Sequence, residues 1–267
     1  MNELQYLSPL IINLAKYFIF AGFPFLILYK IYPDTFSKGK IQSRLAKKKD
    51  FIREILHSIQ MIFISTVFVV AILKSPLKDY TLFYNTNSDY RIWWIPIGVL
   101  LALILHDSYF YWMHRIIHHP GLYKKVHFLH HKSINPTPWT SYSFHFIEAV
   151  FESMFIIILL FFIPMSKISL LVFGLCAFSI NIYGHLGYEI APKWFRNSFL
   201  FEFINSSVYH NMHHSKFIGN YGLYFRFWDR LMKTEHPDYV KEYDRIQKIR
   251  FHLKEDEKQV ANTVYKK

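Results

Sequence analysis

Nine histidines of this chain fall into three tight groups. The stretch from His114 to His131, HRIIHHPGLYKKVHFLHH, holds six histidines in eighteen residues, where the chain's average of 15 in 267 gives about one. A third group, HNMHH, follows far downstream at His210 to His214. Neutral imidazoles are nitrogen donors that suit iron, zinc or copper. On a helix, positions i, i+3 and i+4 share one face. His127, His130 and His131 meet that spacing, as do His210, His213 and His214, while His114 and His118 are i, i+4. His119 points about 140° away from His114 on an unbroken helix, unless a break at Pro120 redirects it. One group alone does not complete a coordination sphere, but three from different helices can hold two metal ions. The bland alternative is a set of interfacial polar residues. Eight histidines at matched spacings argue against it, because their mutual repulsion when protonated would need compensation.

Other polar residues stand near the groups in sequence. Asp107 precedes His114 by seven residues, on nearly the same face and two turns deeper. It reads either as a group that orients a ligand histidine or as a membrane-buried acid paired with Lys16 or with Tyr111. His106 points along a neighbouring face and is left out of the metal site. His145, with Glu148, opens an apolar run after NPTPWTS and is a further candidate ligand. His185 is a candidate ligand at the end of another apolar run, with Asn181 one turn earlier to orient it or a water. No CxxC, HExxH, Walker A or GxGxxG pattern occurs, so zinc fingers, zincin proteases and nucleotide or flavin sites find no support.

The elements that must position these residues are membrane helices. The chain is 52% hydrophobic and 19% aromatic, yet carries a net charge of +12. Apolar spans with basic residues at one water interface reconcile the two. Because Lys and Arg flank apolar spans, a nucleic-acid partner is not expected. Cys176 reads as a small core hydrophobe, and no removable signal peptide is recognised at the amino terminus. Spans are expected at Leu10–Tyr29, Ile55–Leu73 and from Ile92 through the first histidine group to Pro120. A hairpin of Phe146–Ile163 and Ile168–Tyr183 follows, then a charged tail with an amphipathic helix over Tyr239–Lys254 and no visible chemistry. The loop from Lys30 to Arg53 carries eight Lys or Arg against Asp34 and Asp50, which puts it on the cytoplasmic side. The loop from Lys74 to Arg91 should lie on the far side. The expected fold is an all-α polytopic membrane helical bundle of about four to five membrane-embedded helices, with a cytoplasmic histidine-rich cap. It forms one structural domain: residues 1–100 as N-terminal spans, 101–236 as the catalytic region and 237–267 as the tail.

HRIIHH, HFLHH and HNMHH resemble the three histidine boxes of the fatty acid hydroxylase/sterol desaturase superfamily. The resemblance covers roughly Leu103 to Thr234, and PTPWTSYSFHFIEA and NYGLYFRFWDRL are similar to its sterol C5-desaturase-like branch. It implies a membrane non-haem di-iron enzyme that uses O2 and two electrons on a lipid. Its boxes fall on His114, His118, His119, on His127, His130, His131 and on His210, His213, His214, with His145 and His185 matching further histidines. The chain departs from the pattern at Phe146, where a proline often stands, at Asn181, where some members have histidine, and at Lys233, where glycine is common. The implied cofactor is two iron ions, with zinc possible in isolated protein. The implied partners are a membrane lipid and an external cytochrome b5-like or ferredoxin-like electron carrier. An apolar cavity shaped by the aromatic third to fifth spans is expected below the metals. A competing reading is a non-catalytic membrane protein that binds or moves zinc. Transporters place polar ligands near the bilayer midplane, whereas these boxes lie beyond the span ends.

Overall fold

An apolar backbone in lipid satisfies its own hydrogen bonds only as a helix or a closed barrel, and this chain takes the helical route. The computed structural model describes residues 4–84 and 92–252. Four of its helical segments are long and apolar enough to cross a membrane: Leu7–Ile31, Lys48–Leu73, Trp94–Ile117 and Lys167–Gly184. The first is α1 (Leu4–Phe25), which runs on through a π-helical turn, Leu26–Ile31. Pro24 lies at that junction, where a missing N–H and a crowded carbonyl favour a change of helical register. The second, α2 (Lys48–Leu73), begins at Lys48 rather than Ile55, so part of the basic loop is helical. The third, α3 (Trp94–Ile117), runs without a break from the tryptophan anchor into the first histidine box.

Two short helices, α4 (Pro120–Val126) and α5 (Phe128–His131), carry the second box. The hairpin is α6 (Phe146–Phe162) and α7 (Lys167–Gly184). At 17 residues α6 is about 25 Å long, short of the roughly 30 Å hydrocarbon core. The bundle is therefore four spans and one shorter embedded helix. A two-residue parallel pairing of Phe83–Tyr84 with Met165–Ser166 ties the hairpin tip to the loop after α2. Residues 85–91 of that loop lie outside the described residues. Phe110, Phe155, Leu159 and Phe173 of α3, α6 and α7 form one core, and Tyr17, Ala21, Phe178 and Ile182 pack α1 onto α7. Ile19, Phe23, Phe63, Leu100 and Leu171 point outward, where acyl chains would cover them.

The cap is built on α8 (Ser207–Lys216), which carries the third box, with α9 (Phe227–Leu231) and α10 (Tyr239–Phe251) around it. The start of the charged tail is not a solvated appendage. Tyr239, Tyr243 and Ile246 of α10 are fully buried against Val208, Tyr209 and Met212 of α8. Amphipathic spacing in α10 thus supports the box helix directly; residues 253–267 lie outside the described residues. At the base of the cap, buried Glu54 of α2 accepts from the Ser133 hydroxyl at 2.6 Å and the Thr137 hydroxyl at 2.8 Å. That acid pins the segment after the second box to a membrane span.

Lys233, just after α9, holds a left-handed backbone with φ of 55°. A side chain there is strained and glycine is not, which accounts for the glycine seen at this place in the resembling pattern. Lys233→Gly is expected to stabilise the protein by about 1 kcal/mol. An unchanged or lower melting temperature in detergent would contradict that account.

Candidate metal centre

The boxes converge with His185 into two groups of imidazoles. His114, His118, His127, His131 and His213 form one; His130, His185, His210 and His214 form the other. Within each group one ring nitrogen per residue lies within 4.8 Å of the others, and all but His118 are buried. The boxes do not act as units. Positions i and i+4 stay together, as His127 with His131 and His210 with His214, while the i+3 members His130 and His213 cross to the opposite group. A helix turns about +40° over four residues and −60° over three, so one short helix lying between two sites serves both.

The ring nitrogens show what the groups can hold. The Nδ1 of His114 bonds the Tyr221 carbonyl at 2.8 Å, that of His213 the Gly219 carbonyl at 2.7 Å and that of His185 the Asn181 carbonyl at 2.8 Å. His130 reaches the Ser143 carbonyl at 3.3 Å, and His127 the Glu148 carboxylate at 2.7 Å. A carbonyl only accepts, so the Nδ1 atoms of His114, His130, His185 and His213 carry the proton and each Nε2 is left a bare lone pair; an ionised Glu148 sets the same tautomer on His127. Yet the bare Nε2 atoms face each other, at 3.0 Å for His114 and His127 and 3.4 Å for His130 and His185. His213 Nε2 is buried with no partner. Facing lone pairs with no proton between them repel, and a cation between them removes the repulsion. The donor set therefore fits two metal ions held by imidazole nitrogen.

The remaining candidates are placed elsewhere. His119 is exposed and caps α4, its Nδ1 accepting from the Gly121 amide at 3.4 Å. His145 does the same for α6, accepting from the Ile147 amide at 3.3 Å. Both lie outside the two groups, because a cap residue turns its side chain back to its own helix start. Asp107 pairs with neither Lys16 nor Tyr111: its Oδ1 accepts the backbone amides of Leu223, Tyr224 and Phe225. Lys16 instead lies over the Phe178 ring at 5.6 Å. Asn181 orients His185 with its backbone carbonyl, while its side chain donates to the Ser141 carbonyl at 2.9 Å. His106 bonds the Tyr224 hydroxyl at 2.7 Å and Glu152 at 2.8 Å, outside both groups. Sequence reasoning gave Glu148 no role. A carboxylate one turn into an apolar helix was the available signal.

Between α3, α6 and α7, His106 stacks on Phe155 at 4.4 Å, with Phe173 edge-on at 5.7 Å. A cavity of about 910 Å³ lies between α8 and α10, lined by residues such as Gln42, Asn211, Lys216, Lys241 and Glu242.

Burial, and then the neighbouring imidazoles, push His118, His127, His130, His131, His210 and His214 far below the usual histidine range. Burial lowers His185 and His213 to about 4, against the pull of their backbone carbonyls. An unfolded chain protonates these rings near 6.5, the folded chain only near 4. The unfolded state therefore binds more protons in between, and stability is lost as the pH drops through that window. Metal-free protein is expected to melt at progressively lower temperature from pH 6.5 towards 4. A flat melting temperature over that range would contradict a buried, neutral set.

A family model described as fatty acid hydroxylase matches residues 99–234. The Delta(7)-sterol 5(6)-desaturase ERG3B of Gibberella zeae is 31% identical over 80% of this chain and 67% of its own length. The lathosterol oxidase of Rattus norvegicus is 30% identical over 87% of this chain and 76% of its own. The Delta(7)-sterol 5(6)-desaturase erg32 of Schizosaccharomyces pombe is 30% identical over 87% and 67%. No solved structure matches. Three histidine boxes on a membrane helical bundle, a family match over half the chain and relatives named as desaturases agree: the chain belongs to the fatty acid hydroxylase family of oxidoreductases, in its sterol desaturase branch.

Proposed function

We propose that the chain is an O2-dependent membrane lipid hydroxylase or desaturase working through two histidine-held iron ions. The carrying observation is the pair of buried imidazole groups with bare Nε2 atoms turned inward. Iron bound there supplies the O2-derived oxidant that an unactivated C–H bond requires. Desaturation consumes O2, two electrons and two protons, turns a CH–CH pair into a C=C bond and releases two waters. Hydroxylation draws on the same inputs, inserts one oxygen and releases one water. The chain's own contribution is orientation and exclusion. Carbonyls of Ser143, Asn181, Gly219 and Tyr221 and the Glu148 carboxylate hold the Nδ1 protons, so each ring presents Nε2 in one orientation. Burial of the rings keeps bulk water from quenching an oxidant.

The relatives' names point to a sterol with a double bond introduced at carbon 5, and we take a sterol or related lipid as the first candidate substrate. Such a molecule reaches the site from the bilayer, along the lipid-facing sides of the spans. Electrons come from a separate cytochrome b5-like or ferredoxin-like carrier, because the sequence carries no haem or flavin motif of its own. The basic segment from Lys30 to Arg53 supports a cytoplasmic cap, where such a carrier is reached. Metal-site position disfavours zinc transport: both groups lie at span ends and in the cap, away from the midplane.

Purified protein is expected to bind about two metal ions per chain and to oxidise added sterol only with O2 and a reductant. Two bound metals without oxidised lipid, under every reductant supplied, would sink the enzyme reading. His130→Ala is expected to lose metal and activity together. His106→Ala is expected to keep the metal and lose stability, since it leaves Glu152 and Tyr224 unpaired. Equal metal loss in both variants would refute the assignment of His130 to the centre.

A further inference from the structure

The loop from Gly219 to Phe225 crosses beside the five-histidine group, and two buried carboxylates grip it. Asp229 accepts from the Tyr221 amide at 2.9 Å, the Gly222 amide at 2.7 Å and the Thr234 hydroxyl at 2.7 Å. Asp107 accepts from the next three amides, Leu223 to Phe225, at 3.1, 2.7 and 3.2 Å. Five consecutive N–H groups thus end on two acids, although neutral acceptors would satisfy them equally well.

The position of Asp229 suggests what the charge is for. The Gly222 N–H and the Tyr221 carbonyl belong to one peptide unit, and that carbonyl accepts from His114 Nδ1 at 2.8 Å. An anion at the N–H end of a peptide polarises it and makes its oxygen a stronger acceptor. A stronger acceptor at Nδ1 makes Nε2 a better metal donor. Gly222 is needed for this approach, because a Cβ there would meet the Phe225 carbonyl and come within 3.1 Å of the Asp229 carboxylate. Among the described residues Asp229 makes no ion pair; the nearby buried Arg226 is bonded to Glu235 at 2.8 Å. His127, in the same group, has Glu148 directly on its Nδ1. No carboxylate bonds His130, His185, His210 or His214 among the described residues; carbonyls of Ser143 and Asn181 serve there.

We propose that Asp229 is a positioning residue that acts on His114 through the Tyr221–Gly222 peptide, and that it makes the five-histidine group the tighter of the two metal sites. The proposal rests on the metal-centre reading and not on the lipid chemistry.

The test uses the full-length protein in detergent, loaded anaerobically with ⁵⁷Fe(II), with metal release to a chelator followed in time. Wild-type protein is expected to release iron in two phases. Asp229→Asn keeps the side-chain shape and removes the charge. It is expected to speed the slow phase about ten- to a hundredfold, to leave the fast phase unchanged and to alter one of two Mössbauer doublets. Thr234→Val removes a hydrogen bond to the same carboxylate but leaves its charge on Gly222, and is expected to lower stability without moving the slow phase. Asp229→Glu restores the charge and covers an amide variant that does not fold; its slow phase is expected to stay close to wild type. Equal acceleration by Asp229→Asn and Thr234→Val would reduce Asp229 to a packing role and overturn the proposal. An unchanged slow phase in Asp229→Asn, or its loss in folded Asp229→Glu, would overturn it too. Wild-type protein that holds no iron would overturn this proposal and the metal-centre reading together.

Discussion

The structure depends on one constraint: imidazole lone pairs turned toward each other in a dry interior. Left alone, such an arrangement repels. It persists because each of five rings has its other nitrogen tied to a fixed acceptor: the carbonyls of Ser143, Asn181, Gly219 and Tyr221 or the carboxylate of Glu148. These acceptors come from four regions of the chain, so the rings are oriented together only when those regions are packed around them. That explains why so much buried polar structure surrounds the site. Glu54 holds the segment behind the second box, Asp107 and Asp229 hold the loop after the third, and α10 covers α8 with buried tyrosines. Each buried acid is costly by itself. Together they trade that cost for ring positions that do not drift.

The membrane part serves the same constraint differently. α3 carries His106 and Asp107 at mid-length and His114 at its end, so one helix links the bilayer interior to the imidazole groups. Asp107 looks from the sequence like an acid that should find a cation. It finds three amides of the loop after the third box instead. His106, one residue earlier, takes the Tyr224 hydroxyl of that loop. Two adjacent side chains of one span thus clamp a cap segment more than a hundred residues away in the chain.

Periodicity carried the spans well. The run from Trp94 to Ile117 reads as one helix entering the first box, and it is one, because Pro96 falls in the first turn, where its missing N–H costs nothing, and no further proline comes before Pro120. Spacing also brought His127, His130 and His131 together as a set. It could not show that His130 parts from its neighbours, since that depends on where a second site lies, which only tertiary packing decides. His119 and His145 look like box members by type, yet each is spent capping a helix, a competition for the ring nitrogen settled by a single backbone amide. The acceptors at Nδ1 were the least legible. Four are backbone carbonyls, which any residue supplies, so no residue type marks them. Glu148 alone had a recognisable side chain, and its meaning depended on α6 docking beside His127.

The uneven division of nine imidazoles bears on how such a centre works. Five rings make up one group, one of them bonded to a carboxylate directly and one through a peptide; four make up the other, where His130 and His185 are bonded to backbone carbonyls. Anionic backing strengthens nitrogen donation and favours a metal of higher charge. One helix, α8, supplies both sites through residues three and four apart, so neither can shift without moving the other. A single helix thus ties the two imidazole groups together, although they differ in size and in the acceptors behind their rings.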